Sequence, residues 1–302
     1  MGTSEKCSIQ FYNRYTKSLE TEAVYGGRWL QWAYGTSLGR LTTRMLLKRA
    51  LFSKFYGWLM KRPASRKKVA PFIKEFAVDM APFAKQADAF ESFNDFFIRE
   101  LKPGARPIAE DPQVACFPAD GRHLGFQDVS EVSQVFIKGQ RWDLAQLLGS
   151  EALAARYARG SLVLSRLCPV DYHRFHFPVA GFAAQSKLIP GYLSSVNPVA
   201  LRQRLAILGE NKRTMTLIQT EQFGQVLMLE IGATCVGSVV QTFSPQQACS
   251  RGAEKGFFSF GGSATCLLFE PERIQLAEDL REQTQQGYEL YAHMGDTLGV
   301  SL

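Results

Sequence analysis

The chain changes its hydrophobic rhythm about a third of the way along. Leu38, Leu41, Met45, Phe52, Tyr56 and Leu59 are separated by 3, 4, 7, 4 and 3 residues, a spacing that brings them onto one face of a helix. Arg40, Arg44, Lys48, Lys54 and Arg62 fall on the other face, with Arg49 out of pattern and Leu47, Leu51 and Trp58 among the charges. Gly39 and Gly57 are points where the run divides into shorter helices. Beyond Pro63-Ala64-Ser65 a second helical stretch passes through Phe72, Phe76 and Met80, punctuated by Pro71 and Pro82. From about Glu91 short β-rich runs alternate with Gly and Pro turns, at 162–164, 226–231 and 236–240. One helix is predicted over 144–157, stopped by Gly160. There is no βαβ alternation with a glycine-rich phosphate loop, which argues against Rossmann and P-loop folds. The pattern predicts an α+β protein: basic amphipathic helices over 1–90, which associate with membranes, then a mainly antiparallel β core over 91–302.

Charge sharpens the division. No acidic residue stands between Glu22 and Glu75, whereas twelve basic ones do, from Arg28 to Lys74. Taking those twelve from the 35 Lys and Arg leaves 23 against 28 Asp and Glu, so the net +7 resides in this segment. A basic amphipathic helix with Trp and Phe suits an anionic membrane surface; the alternative is a helix packed on the protein's own core with a solvated basic face. No nucleic-acid signature is present, and no nucleic-acid partner is expected. Apolar runs are broken well before about 18 residues, too short for a transmembrane helix. Glu5 and Lys6 interrupt any secretory signal, and Lys6 stands where a myristoylation motif carries Ser or Thr. The six cysteines form no CxxC pair, which fits reduced thiols better than disulfides or zinc.

Candidate chemistry lies in three short stretches. Two of the four histidines, His173 and His176, share the run from Asp171 to His176. Their spacing could suit a metal, but nothing nearby supplies a third ligand, so no metal is expected. Asp120, in the turn Pro118-Ala119-Asp120-Gly121, could orient an imidazole; alone, such a turn is commonplace. Gly261-Gly262-Ser263 lets the backbone adopt unusual conformations with open access to a carbonyl. Blandly, it is a hairpin turn or bulge. Thr265 rules out a GxSxG elbow.

Taken together, these stretches resemble the phosphatidylserine decarboxylase family. Phe96-Phe97-Ile98-Arg99, with Leu101 through Ile108, is similar to its opening signature. Pro118 to Gly121, Asp171 to His176, Ser195-Val196-Asn197-Pro198 with Asn211, Phe260 to Ser263, and Met294-Gly295-Asp296 follow in the family's order. The resemblance covers about residues 40 to 302. It implies a proenzyme that cuts itself between Gly262 and Ser263 into chains 1–262 and 263–302, turning Ser263 into a covalent pyruvoyl group. It places His176 and Asp120 on the Ser263 hydroxyl during cleavage, and makes His173 the candidate acid for decarboxylation. The pyruvoyl ketone would form a Schiff base with phosphatidylserine and release CO2 to leave phosphatidylethanolamine. The expected location is peripheral, on the cytoplasmic face of a bacterial membrane; a homodimer is left open. One departure is Ala264, where the family usually has Thr or Ser; Thr265 or Ser259 is the neighbouring hydroxyl that could assist. Three alternatives stand beside this reading: a membrane-surface protein that has lost cleavage, a pyruvoyl enzyme for a soluble amino acid, and a serine hydrolase built on Ser263 and His176.

Overall fold

A computed structural model describes residues 9–22, 50–132, 143–233, 239–260 and 263–302. Among the described residues the backbone forms an eleven-stranded sheet flanked by two three-stranded sheets. The large sheet runs Gln247–Cys249, Gly181–Ala183, Arg213–Gln219, Gln225–Gly232, Ser263–Phe269, Ser161–Leu167, Gly121–Phe126, Glu289–Ala292, Gln10–Asn13 and Ser18–Thr21, with Lys187–Ile189 also on Arg213–Gln219. Every pairing is antiparallel except Gln10–Asn13 with Glu289–Ala292. One small sheet joins Val239–Gln241, Glu254–Phe258 and Arg174–His176; the other joins Ile274–Leu276, Thr297–Ser301 and Val114–Cys116. The expected α+β class with a mainly antiparallel core is what the chain adopts.

The central strands read as nearly continuous apolar runs because both faces are covered. Along Ser263–Phe269 all seven residues are buried. Ala264, Cys266 and Leu268 face a core shared with Leu164, Leu229, Ile231 and the short helices around Leu147 and Leu208. Leu267 and Phe269 face the opposite core, with Phe175 and Phe258 from a small sheet. This alternation is the period-two geometry of a strand. The helix expected over 144–157 is two, Leu144–Leu148 and Glu151–Tyr157. Gly149, at φ 62°, ends the first, and Ser150 Oγ caps the second at Leu153 N.

The expected helical region 1–90 is corrected at its start. Gln10–Asn13 and Ser18–Thr21 are a hairpin on the main sheet, with Phe11 buried. Asn13 Oδ1 accepts from Tyr15 N at 2.9 Å, and Lys17 takes φ 51°, the local chemistry of a tight turn. Residues 23–49, which carry Leu38, Leu41, Met45 and five of the twelve basic residues, lie outside the described residues. Thereafter helices do form, at Ala50–Lys61 and Val69–Phe76. The second ends at Ala77 in the left-handed region, before Met80. Tyr56, Leu59 and Met60 pack into an aromatic cluster with Phe72, Phe93, Phe96, Phe97 and Phe260. The end of the apolar stripe therefore serves the protein's own core, while Phe55 and Trp58 stay 59% and 53% exposed. Among the described residues no helix is long and apolar enough to cross a membrane.

Candidate active site

Ser263 opens the central strand, opposite Gly232 on one side and Leu167 on the other. Its side chain is fully buried, and Oγ has no hydrogen-bond partner among the described residues. The preceding strand, Glu254–Phe258, belongs to a small sheet and does not pair with Ser263–Phe269, so the two strands do not form a hairpin. Phe260 is fixed on the way: its N–H donates to Asn94 Oδ1 at 3.1 Å, and its ring packs on Phe93 and Phe97. Gly261 and Gly262, the other half of the expected cleavage site, lie outside the described residues. Thr265 shares a face with Ser263, whereas Ala264 points into the opposite core. A hydroxyl at 264 would therefore leave the strand on the side away from Ser263.

The paired histidines occupy the edge of the small sheet. His173 lies opposite Phe258, whose N–H donates to its carbonyl at 2.9 Å. Its Nδ1–H donates to Asp171 O at 3.0 Å, and its ring packs on Phe97 with centroids 3.7 Å apart. His176 pairs with Glu254, four residues back along the same strand. Its Nδ1–H donates to Gly252 O at 2.9 Å, and Nε2 accepts from the Tyr172 hydroxyl at 3.0 Å. Burial pushes its pKa down, opposed by the Gly252 bond, so the ring is a neutral base. Phe97 touches both His173 and Phe260, which puts His173 nearer the segment leading to Ser263 than His176 is.

Asp120 is buried, but its bonds differ from the expected one to His176. Arg106 donates to its two oxygens at 3.2 and 2.5 Å, and Met294 N donates to Oδ1 at 2.8 Å. A buried carboxylate is costly without a cation, and the guanidinium supplies one with matched geometry. His176 meets this turn through its backbone, donating from N to Pro118 O at 2.7 Å. Asp120 opens onto a cavity of about 840 Å³ that Arg99, Lys102, Arg106, Tyr172 and His293 also line, and that Ser263, His173 and His176 do not. Sequence reasoning singled out neither Arg106 nor Asn94, although both sit within or beside the opening signature; Arg106 lies in a loop and Asn94 in the one-turn helix Phe93–Phe97, and neither setting carries a periodicity to betray it.

The histidine loop is held by charge. Asp171 accepts from Arg122 at 2.6 and 2.9 Å and from Cys168 N at 2.7 Å. Burial raises its pKa and Arg122 opposes the rise. Arg99 donates to Val170 O and Asp171 O at 2.7 and 3.0 Å, and lies over the rings of Phe83 and Phe96. Burial lowers its pKa to about 10, with Asp171 opposing. The motif residues Arg99 and Asp171 thus brace the backbone on which His173 sits. Among the described residues no three His, Cys, Asp or Glu side chains cluster as a metal site would require.

A hydrolase must leave its nucleophile open to substrate and water. A serine sealed at the head of a central strand fits chemistry on the chain's own backbone instead. The comparisons give that class a family. The sequence pattern of "Phosphatidylserine decarboxylase" matches residues 93–300. The chain is 41% identical over 291 residues to a phosphatidylserine decarboxylase proenzyme of Clostridium perfringens, covering 96% of this chain and 99% of that one. It is 43% identical over 294 residues to the same-named protein of Chlamydia caviae, covering 97% and 98%. The chain belongs to the phosphatidylserine decarboxylase family, lyases of phospholipid biosynthesis.

Proposed function

We propose that the chain is a self-processing phosphatidylserine decarboxylase that cuts itself between Gly262 and Ser263. The observation that carries this is Ser263 Oγ, buried at the head of a central strand with no hydrogen-bond partner among the described residues. An orphaned buried hydroxyl is costly, and the site fits a residue that is converted to a ketone. In the first step Oγ attacks the Gly262 carbonyl, the amide C–N bond breaks and an ester forms. An imidazole takes the hydroxyl proton. Elimination then breaks the ester Cβ–O bond, releasing the new carboxylate of chain 1–262. Hydrolysis of the residue left at 263 expels ammonia and leaves the pyruvoyl end. When formed, that group supplies an electron-accepting carbonyl that binds the substrate amine.

The chain's own residues move the protons. His176 with Asp120 serves the Ser263 hydroxyl, and His173 returns a proton to the substrate carbon after CO2 leaves. A second reading reverses the histidines, and the Phe97 contacts favour it, because they draw His173 toward Phe260. Membrane binding, at the cytoplasmic face of a bacterial membrane, is supported by the exposed Phe55 and Trp58 beside Lys61 and Arg62. The test is CO2 release from phosphatidylserine vesicles by wild type and Ser263→Ala. Release by wild type alone is expected; equal release refutes the pyruvoyl route.

A further inference from the structure

Behind the site lies an ion pair that no step above uses. Lys255 Nζ and Glu230 Oε1 are 2.8 Å apart, and both side chains are fully buried. Lys255 also donates to Gln241 Oε1 at 2.7 Å, and Glu230 Oε2 accepts from Thr214 at 2.5 Å and from Gln241 Nε2 at 2.8 Å. The ammonium stands 4.9 to 6.0 Å from the ring centres of Phe243, Phe175 and Phe177. Burial pushes the Lys255 pKa down and Glu230 opposes this. Such a pair is expensive to desolvate, and apolar residues of similar volume would often be as stable or more so. Its use must therefore be sought in what it holds together.

The two ends of the pair belong to different sheets. Lys255 is the extra residue of a bulge between Glu254, which pairs with His176, and Gly256, which pairs with Phe175. A bulge re-aims a side chain, here into the interior. Gly256 is required beside it, because a Cβ would run into Val240 O and the Phe175 ring. Glu230 pairs with Thr265 across the strands, one pleat from the pairing of Gly232 with Ser263. One end of the pair is thus on the strand that pairs with Arg174–His176, and the other on the strand that backs Ser263.

We propose that the Lys255–Glu230 pair is a positioning strut that fixes the small sheet carrying His173 and His176 against residue 263. The proposal rests on the self-cleavage reading. The strut matters most once the 262–263 bond is cut, because the chain then no longer ties Glu254–Phe258 to Ser263–Phe269. A displacement on the scale of 1 Å in such a site can cost roughly 100-fold in rate.

The experiment compares wild type, Lys255→Met/Glu230→Leu, and the charge-swapped Lys255→Glu/Glu230→Lys. Each is followed by intact mass for the rate of cleavage, by CO2 release for kcat and KM, and by thermal unfolding. The apolar double variant should fold with a melting temperature near or above wild type, yet cleave itself and turn over about 10- to 100-fold more slowly, with KM little changed. The charge swap should restore part of that rate. A folded double variant that cleaves and turns over at the wild-type rate overturns the strut. So does a charge swap that folds without restoring any rate. If the apolar variant does not fold, Glu230→Gln decides: normal cleavage and kcat in that variant also overturn the proposal. Wild-type protein that never cuts itself instead overturns the self-cleavage reading on which the strut rests.

Discussion

Glu22 shows how far the N-terminal hairpin belongs to the catalytic body. Its carboxylate, 3% exposed, accepts from Arg166 at 3.2 and 2.5 Å and lies 3.4 Å from Arg122 Nε. Replacing Glu22 by Gln keeps the shape and removes the charge. Each arginine retains one acid: Arg166 keeps Glu289, and Arg122 keeps Asp171. The loss is therefore that of charge-assisted hydrogen bonds, about 2–3 kcal/mol, and not the roughly 3–5 kcal/mol of stranding a buried charge. For a chain of this size that is a fall of about 3–5 °C in melting temperature. Burial alone would raise the Glu22 pKa, but Arg166 and Arg122 outweigh it and hold it below the ordinary 4.5. Its contribution is thus fully present above pH 4.5 and lost as pH falls through the lower folded value. The assay is urea and thermal unfolding of Glu22→Gln in the Ser263→Ala background, where one uncut chain is expected, at pH 7 and below pH 4. The gap should narrow at the lower pH. A difference under about 0.5 kcal/mol at pH 7, the range of an ordinary surface change, would refute the reasoning and return residues 9–22 to a peripheral role.

The remaining predictions concern pH, the membrane and the histidines. Burial holds the fully enclosed His123 down to about 3, against the Ala292 bond that opposes it. The unfolded chain takes that proton near pH 6.5, so His123 should cost about 1.4 kcal/mol per pH unit between pH 6.5 and 3. His123→Asn should flatten that limb of a stability–pH curve; an unchanged slope contradicts the assignment. Changing Arg40, Arg44 and Lys48 to Gln should weaken binding to anionic vesicles by about 100-fold at low salt, from roughly 1 kcal/mol per charge. Phe55→Ser/Trp58→Ser should remove the salt-resistant part, and equal sedimentation of wild type with neutral and anionic vesicles would count against the electrostatic component. His176→Ala and Asp120→Asn should stay uncut, whereas His173→Ala should be cut yet lose about 10²–10⁴-fold in CO2 release. The opposite pattern would exchange the two histidines, as the Phe97 contacts favour.

Much of the fold was legible where one physical signal dominated. The apolar runs around 162–164 and 226–231 are strands because both faces of the central sheet are covered, and continuous burial leaves its mark on sequence. The hairpin at Gln10–Asn13 and Ser18–Thr21 was missed because its polar residues alternate too weakly to outvote the basic segment that follows. The stripe through Tyr56 and Leu59 was legible as a helix face, but periodicity does not say what covers it. Here the Phe-rich segment 90–97 and Phe260 do so, far apart in sequence. The candidate residues were found by type and order, and their surroundings were not. That Asp120 pairs with Arg106, and that Ala264 points away from Ser263, depend on the packing of several sheets. Glu254–Phe258 and Ser263–Phe269 also look like the arms of a hairpin until the partners of each strand are known.

Self-cleavage between Gly262 and Ser263 is tested most directly by the intact mass of the purified wild-type chain beside Ser263→Ala. Wild type should give two masses: residues 1–262, and a chain 263–302 lighter by one ammonia than the same residues beginning with serine. Ser263→Ala should give a single mass for all 302 residues. A single full-length mass from wild-type protein that nevertheless releases CO2 from phosphatidylserine would contradict the account.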